Sequence, residues 1–345
     1  MPSQEKTPPT GTNHYAAKYW NDLPEIRSYL CRNATGDNRL WWIPYFKQRY
    51  AQKPFATCLI IACGNGRIER ELYDNGIALE FDAFDYSDTY LNEARAKKGT
   101  RPINYFKSSF ESLSLQKKYD LVVNVAALHH VECLEALLEK IALSMPPYGM
   151  FVNWDYVGPN RNQYTDEHLK LMESVNASLP PKYQTKHPLR HPLETYIQGD
   201  ITEAIRSAEI LPAFETHFEM IERHNLGGGV AYQLLWNNIE EFTGDDPEAK
   251  AILQKIIDLD ERYTQHKVVP NLFAFFIGSP RQASREEQAR IAAFYHQRLG
   301  ELQDMQKEEN NVLRGQMKNS IDDKEAEVQP RADSFIQKMK RAFGK

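Results

Sequence analysis

A chain of 345 residues that is 41% hydrophobic and 26% charged can bury a large core, as one large domain with an appendage or as two domains. Its net charge of -5 argues against a nucleic-acid binder working through a generally basic surface. No apolar run is long enough for a transmembrane helix or a secretory leader, and Cys31, Cys58, Cys63 and Cys133 lack C-x-x-C spacing. A disulfide framework and a zinc site are therefore not expected, and a reducing cytoplasm fits best.

Residues 1–18 read as a polar, proline-containing leader without fixed structure. Tyr19 to Tyr50 alternates helix-like stretches around a turn at Gly36-Asp37-Asn38. Its cluster Leu40, Trp41, Trp42, Ile43, Tyr45 and Phe46 predicts an N-terminal helical layer that can also cover a cofactor. From Thr57 the pattern becomes βαβ. Strands are predicted at Cys58–Ala62, Leu79–Phe84, Ile103–Phe106, Leu121–Val125 and Met150–Trp154, with helices at Arg67–Asp74, Asp88–Lys98 and Cys133–Met145. Strands alternating with helices at this spacing predict a Rossmann-like, doubly wound parallel α/β sheet.

Between Pro159 and Pro280 the alternation breaks down, with prolines at 180, 181, 188 and 192. A helical piece is expected at Thr202–Ala208, a tight turn at Gly227–Gly229, a helix at Pro247–His266 and a terminal strand at Leu272–Ile277. The whole reads as further strands plus inserted helices over the sheet's carboxyl edge, closing a domain at 19–282. In 283–329, Ile291, Tyr295, Leu299, Leu302, Met305, Val312 and Met317 recur at helical spacing among polar residues. A helix this polar needs a partner, either its own copies in a coiled-coil homo-oligomer or the domain it follows. Residues 330–345 are basic and amphipathic, suited to peripheral contact with an anionic inner membrane or to a solvated tail.

The chemistry-bearing feature is the loop Gly64-Asn65-Gly66 between the first strand and its helix, where bare backbone can approach a ligand. Asp85, at the end of the second strand, is placed to accept ribose hydroxyls. A dinucleotide site usually has a third glycine where Glu69 stands, and an acid there repels pyrophosphate. S-adenosylmethionine (SAM) carries a positive sulfonium and tolerates it, so SAM is the expected cofactor.

Leu59 to Arg70 (LIIACGNGRIER), Phe84-Asp85-Tyr86-Ser87, Tyr119-Asp120-Leu121-Val122 and Ala127-Leu128-His129-His130-Val131 resemble successive motifs of class I SAM-dependent methyltransferases. Residues 153–164 (NWDYVGPNRNQY) and 203–212 (EAIRSAEILP) are similar to a bacterial subfamily associated with surface-polysaccharide genes. The resemblance covers roughly Trp20 to Pro280. It implies cofactor contacts from Ala62, Cys63, Gly64, Asn65, Gly66, Asp85, Tyr86, Ser109 and Phe110. The chain departs from the family pattern at Ile60, which stands for an acid, at Ala62, which stands for the first loop glycine, and at Ser109, where many relatives place an aspartate.

In open α/β sheets the acceptor sits at the carboxyl edge, where His129 and His130 follow the fourth strand and Asp155 the fifth. One histidine is a candidate general base, with Asp155 orienting it or binding sugar hydroxyls. Arg161 is a candidate clamp for an acidic acceptor, joined by Tyr156, Gln163 and Arg206 as candidate substrate contacts. No metal is expected; His187 and His191 are separated by Pro188, which rules out a regular helix presenting both. The combination resembles bacterial enzymes that methylate the end of an O-antigen polysaccharide and so stop its growth. A small-molecule O-methyltransferase and a non-catalytic SAM-fold scaffold are the competing readings.

Overall fold

The computed structural model describes residues 18–281. Within them, strands β1 (Phe55–Ile61), β2 (Ala78–Asp85), β3 (Ile103–Lys107), β4 (Leu121–Val125), β5 (Met150–Tyr156), β6 (Phe218–Gly227) and β7 (Phe273–Pro280) form one sheet. Its order is β3-β2-β1-β4-β5-β7-β6. β1 to β5 are mutually parallel, while β7 runs antiparallel to both β5 and β6. This is the doubly wound α/β sheet that the sequence predicts, closed by an antiparallel hairpin-like edge.

The inner strands are apolar because they are buried on both faces, and their alternation divides two cores. Ile60, Val123, Val152 and Trp154 point to one face, where they meet Trp42 and Phe46 of α2 (Trp42–Tyr50), Leu72 of α3 (Arg67–Asp74) and Leu91 of α4 (Asp88–Lys97). Leu59, Ile61, Val122 and Phe151 point to the other. There they pack on Leu137, Leu138 and Ile141 of α5 (Leu134–Leu143) and on Phe214 of α8 (Ile210–His217). α1 (Pro24–Thr35) and α2 are the expected N-terminal helical layer, with the turn between them opened by Gly36 at φ 81°.

The chain between β5 and β6 is an insertion. It contains α6 (Asp166–Ala177), whose first turn is capped by the Thr165 hydroxyl accepting from the His168 amide, and the short α7 (Leu193–Gln198). The helical piece expected at Thr202–Ala208 is not there: 201–206 is a chain of turns, with Ala204 at φ 49°, followed by a 3-10 turn at Ser207–Glu209. Tertiary tethers explain the difference, since the Ile205 amide donates to the His129 carbonyl and the Arg161 amide to the Ala204 carbonyl. After β6, Gly227 and Gly228 take positive φ as expected of that run. The buried Asp260 of α10 (Pro247–Gln265) then accepts the amides of Gly228, Val230 and Ala231, starting α9 (Ala231–Trp236).

Among the described residues no helix is long and apolar enough to cross a membrane. The expected coiled-coil helix at 283–329, the basic tail at 330–345 and all of the leader except Lys18 lie outside the described residues.

Candidate active site

Because β1, β2, β4 and β5 run parallel, the loops that leave them open on one edge of the sheet. At the first of these, Ala62, Gly64 and Gly66 all adopt positive φ (46°, 54° and 78°). Ala62 therefore holds, with a side chain, a conformation that favours glycine, which is the physical content of its departure from the family pattern. Gly66 begins α3, and a Cβ there would lie 2.5 Å from the Tyr105 hydroxyl and 2.9 Å from Ala94 Cβ. The loop is a cradle of bare backbone packed from below.

Asp85, buried at the end of β2, fastens that loop: one carboxylate oxygen accepts the Gly64 amide at 2.9 Å and the other the Ser87 amide at 2.9 Å. Burial raises its pKa, and those amides pull part of the shift back. The carboxylate keeps acceptor capacity for a ribose hydroxyl, so the residues present fit a nucleoside cofactor. Tyr86 is exposed beside it. Ser109 is engaged with Ser112, accepting its amide at 3.2 Å, and Phe110 lies edge-on to Phe84, 6.1 Å between ring centroids. Cys63 and Asn65 are buried within the loop.

Glu69 does not face this loop as a free charge. It is fully buried, and burial pushes its pKa up to about 7 against the opposing pull of its own backbone amide and the Tyr105 hydroxyl. The reason given by the sequence for disfavouring a pyrophosphate thus loses its footing, because this acid lies inside the core and is half neutral near pH 7.

At the other end of the edge, Asp155 is completely buried and used as an acceptor by everything around it. Its oxygens take hydrogen bonds from Asn124 Nδ2 (2.8 Å), the amides of Ala127 (3.2 Å), Leu128 (2.8 Å) and Tyr156 (2.8 Å), and His129 Nδ1 (2.6 Å). Burial alone would raise the carboxyl pKa, but the charge and hydrogen bond of His129, with those of Asn124 and Leu128, leave it lowered. Burial alone would likewise lower His129, and the Asp155 charge and hydrogen bond, followed by Glu203 and Asp200, lift it to about 9. With Nδ1 held by Asp155, His129 turns Nε2 towards Glu203, whose Oε2 is 3.9 Å away.

His130 mirrors this arrangement. Its Nδ1 lies 3.1 Å from the Thr202 hydroxyl, which donates to Asp200 at 2.6 Å, and its Nε2 is also 3.9 Å from Glu203 Oε2. The two imidazole rings sit 4.1 Å apart. Burial raises the Glu203 carboxyl, with His129 opposing.

Arg161 binds the same segment: its guanidinium donates to the Glu203 carbonyl at 2.9 Å, and burial lowers its pKa. Tyr156 is buried beside Tyr232, with its hydroxyl donating to the Pro159 carbonyl. Gln163 spends its amide on the carbonyls of Arg161 and His191. Arg206 forms a clamp with Glu135 and Glu209 and donates to the Glu132 carbonyl, which commits its guanidinium to tying the insertion to α5.

From sequence, Glu203 and Arg206 read equally as a helix-surface pair or a substrate-loop contact, and Asn124 and Thr202 carry no assignment. Asn124 was detectable: it is the polar residue inside the otherwise apolar β4, where a buried amide needs partners. Glu203 was not, because a left-handed residue and two backbone tethers place it.

Residues 59–153 match the family model described as a methyltransferase domain. A malonyl-[acyl-carrier protein] O-methyltransferase of Anoxybacillus flavithermus is 27% identical over 26% of this chain and 34% of its own length. A ubiquinone biosynthesis O-methyltransferase of Rickettsia bellii is 29% identical over 32% of this chain and 46% of its own. The chain thus spans less than half the length of these curated relatives. A SAM-dependent methyltransferase structure from Mesorhizobium loti superposes with a TM-score of 0.45 at 18% identity, covering 69% of this chain and 96% of that one. These matches liken residues 59–153 to a methyltransferase domain.

Proposed function

We propose that this chain transfers a methyl group from SAM to a hydroxyl oxygen of a saccharide. The bound cofactor supplies a methyl carbon on a cationic sulfur that leaves as a thioether. Gly64 and Gly66 would give it backbone approach, and Asp85 would accept its ribose hydroxyls. The observation that carries the proposal is the convergence of His129, His130 and Glu203 on the same sheet edge, over the fixed seat of Asp155.

In such a reaction the protein mainly aligns the acceptor and removes its proton. With a pKa of about 9, His129 is cationic at neutral pH and cannot itself accept a proton. The acceptor's proton goes instead to Glu203 or His130, and burial makes Glu203 a stronger base than an ordinary carboxylate. His129 fixes Glu203 electrostatically, and Asp155 fixes His129.

A sugar presents apolar C–H faces and a ring of hydroxyls. The buried rings of Tyr156 and Tyr232, tilted to each other with centroids 6.0 Å apart, together with Glu203 and Arg161, would supply both kinds of contact. The names of the matched relatives support oxygen as the acceptor atom. The capping of a surface polysaccharide by a homo-oligomer at the membrane rests on the sequence, through the resemblance of 153–164 and 203–212 and the pattern of 283–345.

Full-length protein incubated with isotopically labelled SAM and a panel of nucleotide sugars, oligosaccharides and flat aromatic alcohols tests the proposal. Label in a sugar methyl ether supports it. Label only in an aromatic ether replaces the acceptor class, and cofactor binding without any labelled product makes the chain a scaffold.

A further inference from the structure

We propose that His129, His130 and Glu203 bind a divalent metal ion of the zinc, manganese or iron(II) type. One nitrogen of each histidine and one oxygen of Glu203 all lie within 4.8 Å of one another. The approaches to Glu203 Oε2 from His129 Nε2 and from His130 Nε2 are both 3.9 Å. Ligands about 2.1 Å from a tetrahedral ion lie about 3.4 Å apart, so each 3.9 Å gap to Glu203 needs to close by about 0.5 Å and the gap between the histidine nitrogens, at most 4.8 Å, by up to about 1.4 Å.

The outer contacts carry the argument further than proximity does. A metal-binding histidine almost always gives its other ring nitrogen to a carboxylate, carbonyl or similar acceptor, which fixes its tautomer and aims the free nitrogen. Both histidines have this support. His129 Nδ1 is held by Asp155, itself locked by Asn124 and three backbone amides. His130 Nδ1 is held by the Thr202 hydroxyl, which is backed by Asp200. In both cases Nε2 is the nitrogen aimed at Glu203. Two imidazoles and one carboxylate leave coordination positions open, the pattern of sites that bind a substrate oxygen rather than brace a fold.

The sequence leads to the expectation of no metal because the cysteines lack C-x-x-C spacing and prolines break the His187/His191 pair, and neither feature bears on His129, His130 and Glu203. In the metal-bound form the ion would take the place of the His129 proton, hold the acceptor oxygen and make its proton more acidic, so that proton would leave to solvent while Glu203 and His130 act as ligands and not as bases. That role rests on the methyl-transfer reading above; binding itself does not.

The test uses the full chain, stripped with a chelator and titrated with zinc and with cobalt(II), whose visible absorption reports nitrogen and oxygen ligation. One ion per chain is expected, with affinity at least about tenfold weaker in His130→Ala and in Glu203→Gln. Thr202→Val, which removes only the outer contact, should weaken binding by about tenfold. Absence of stoichiometric binding overturns the proposal, as does binding that all three variants leave unchanged, since the ion is then held elsewhere. Methyl transfer at full rate in excess chelator overturns the role given to the ion while leaving the proposed function standing. Binding as described, without methyl transfer to any acceptor, upholds the metal site and removes the methyl-transfer reading.

Discussion

His129 and Asp155 form a buried pair in which Nδ1 and Oδ1 are 2.6 Å apart and the carboxylate has no exposed surface. The carboxylate also organises the start of the 3-10 turn that carries both histidines, through the amides of Ala127 and Leu128. Position and charge of His129 therefore depend on one residue of β5. Asp155→Asn leaves a buried imidazole without its counter-charge and turns an amide donor toward backbone donors. It should cost about 3–5 kcal/mol of stability, read by chemical denaturation. In chelator-treated protein the His129 pKa should fall from about 9 by at least about one unit, read by NMR titration. An unchanged titration would show that Glu203 and Asp200 hold the charge instead.

Glu69 makes a second prediction through pH. Its folded pKa is raised from an ordinary 4.5 to about 7, so the folded state binds a proton that the unfolded state releases. The contribution is complete below the unfolded value and is lost as pH rises through about 7, amounting to about 3 kcal/mol by pH 8. Glu69→Gln should melt higher than the parent at pH 8 and about equally at pH 4.5. Equal melting differences at both pH values would contradict the account.

Gly66→Ala places a methyl group 2.5 Å from the Tyr105 hydroxyl and 2.9 Å from Ala94 Cβ, at a φ of 78°. Tyr105 is buried in β3 and Ala94 in α4, so neither yields freely. A loss of about 1–3 kcal/mol is expected, with weaker binding of S-adenosylhomocysteine by calorimetry. Unchanged cofactor affinity would place the ligand away from this loop.

Arg206→Ala should destabilise the protein by about 1–3 kcal/mol, because Glu135 and Glu209 lose their common partner in a half-buried setting. Cofactor affinity, measured on the folded protein, should not change. A selective loss of acceptor binding would instead assign Arg206 to the substrate.

The parallel half of the sheet was legible because strands buried on both faces must be apolar runs, and β4 begins and ends where the sequence predicts. β6 was harder. It is an edge strand in which exposed Glu219, Arg223 and Asn225 alternate with half-buried Met220, Glu222 and His224, so little apolar signal remains. The 202–208 segment has a helix-like composition that tertiary hydrogen bonds override at Ala204 and Ile205. At the site, the residues adjacent to strand ends were readable from topology. Glu203 was not, because its place depends on where an inserted loop is tied down. Glu69 shows the converse error: its charge was visible in sequence, and its burial was not.

The most direct measurement is a crystal structure of the full chain with S-adenosylhomocysteine bound. The account predicts ribose hydroxyls on Asp85, backbone contact at Gly64 to Gly66, and the sulfur facing His129 and Glu203 with room between them for one acceptor hydroxyl. A ligand bound away from that loop, or a sulfur turned from the histidine pair, would contradict it.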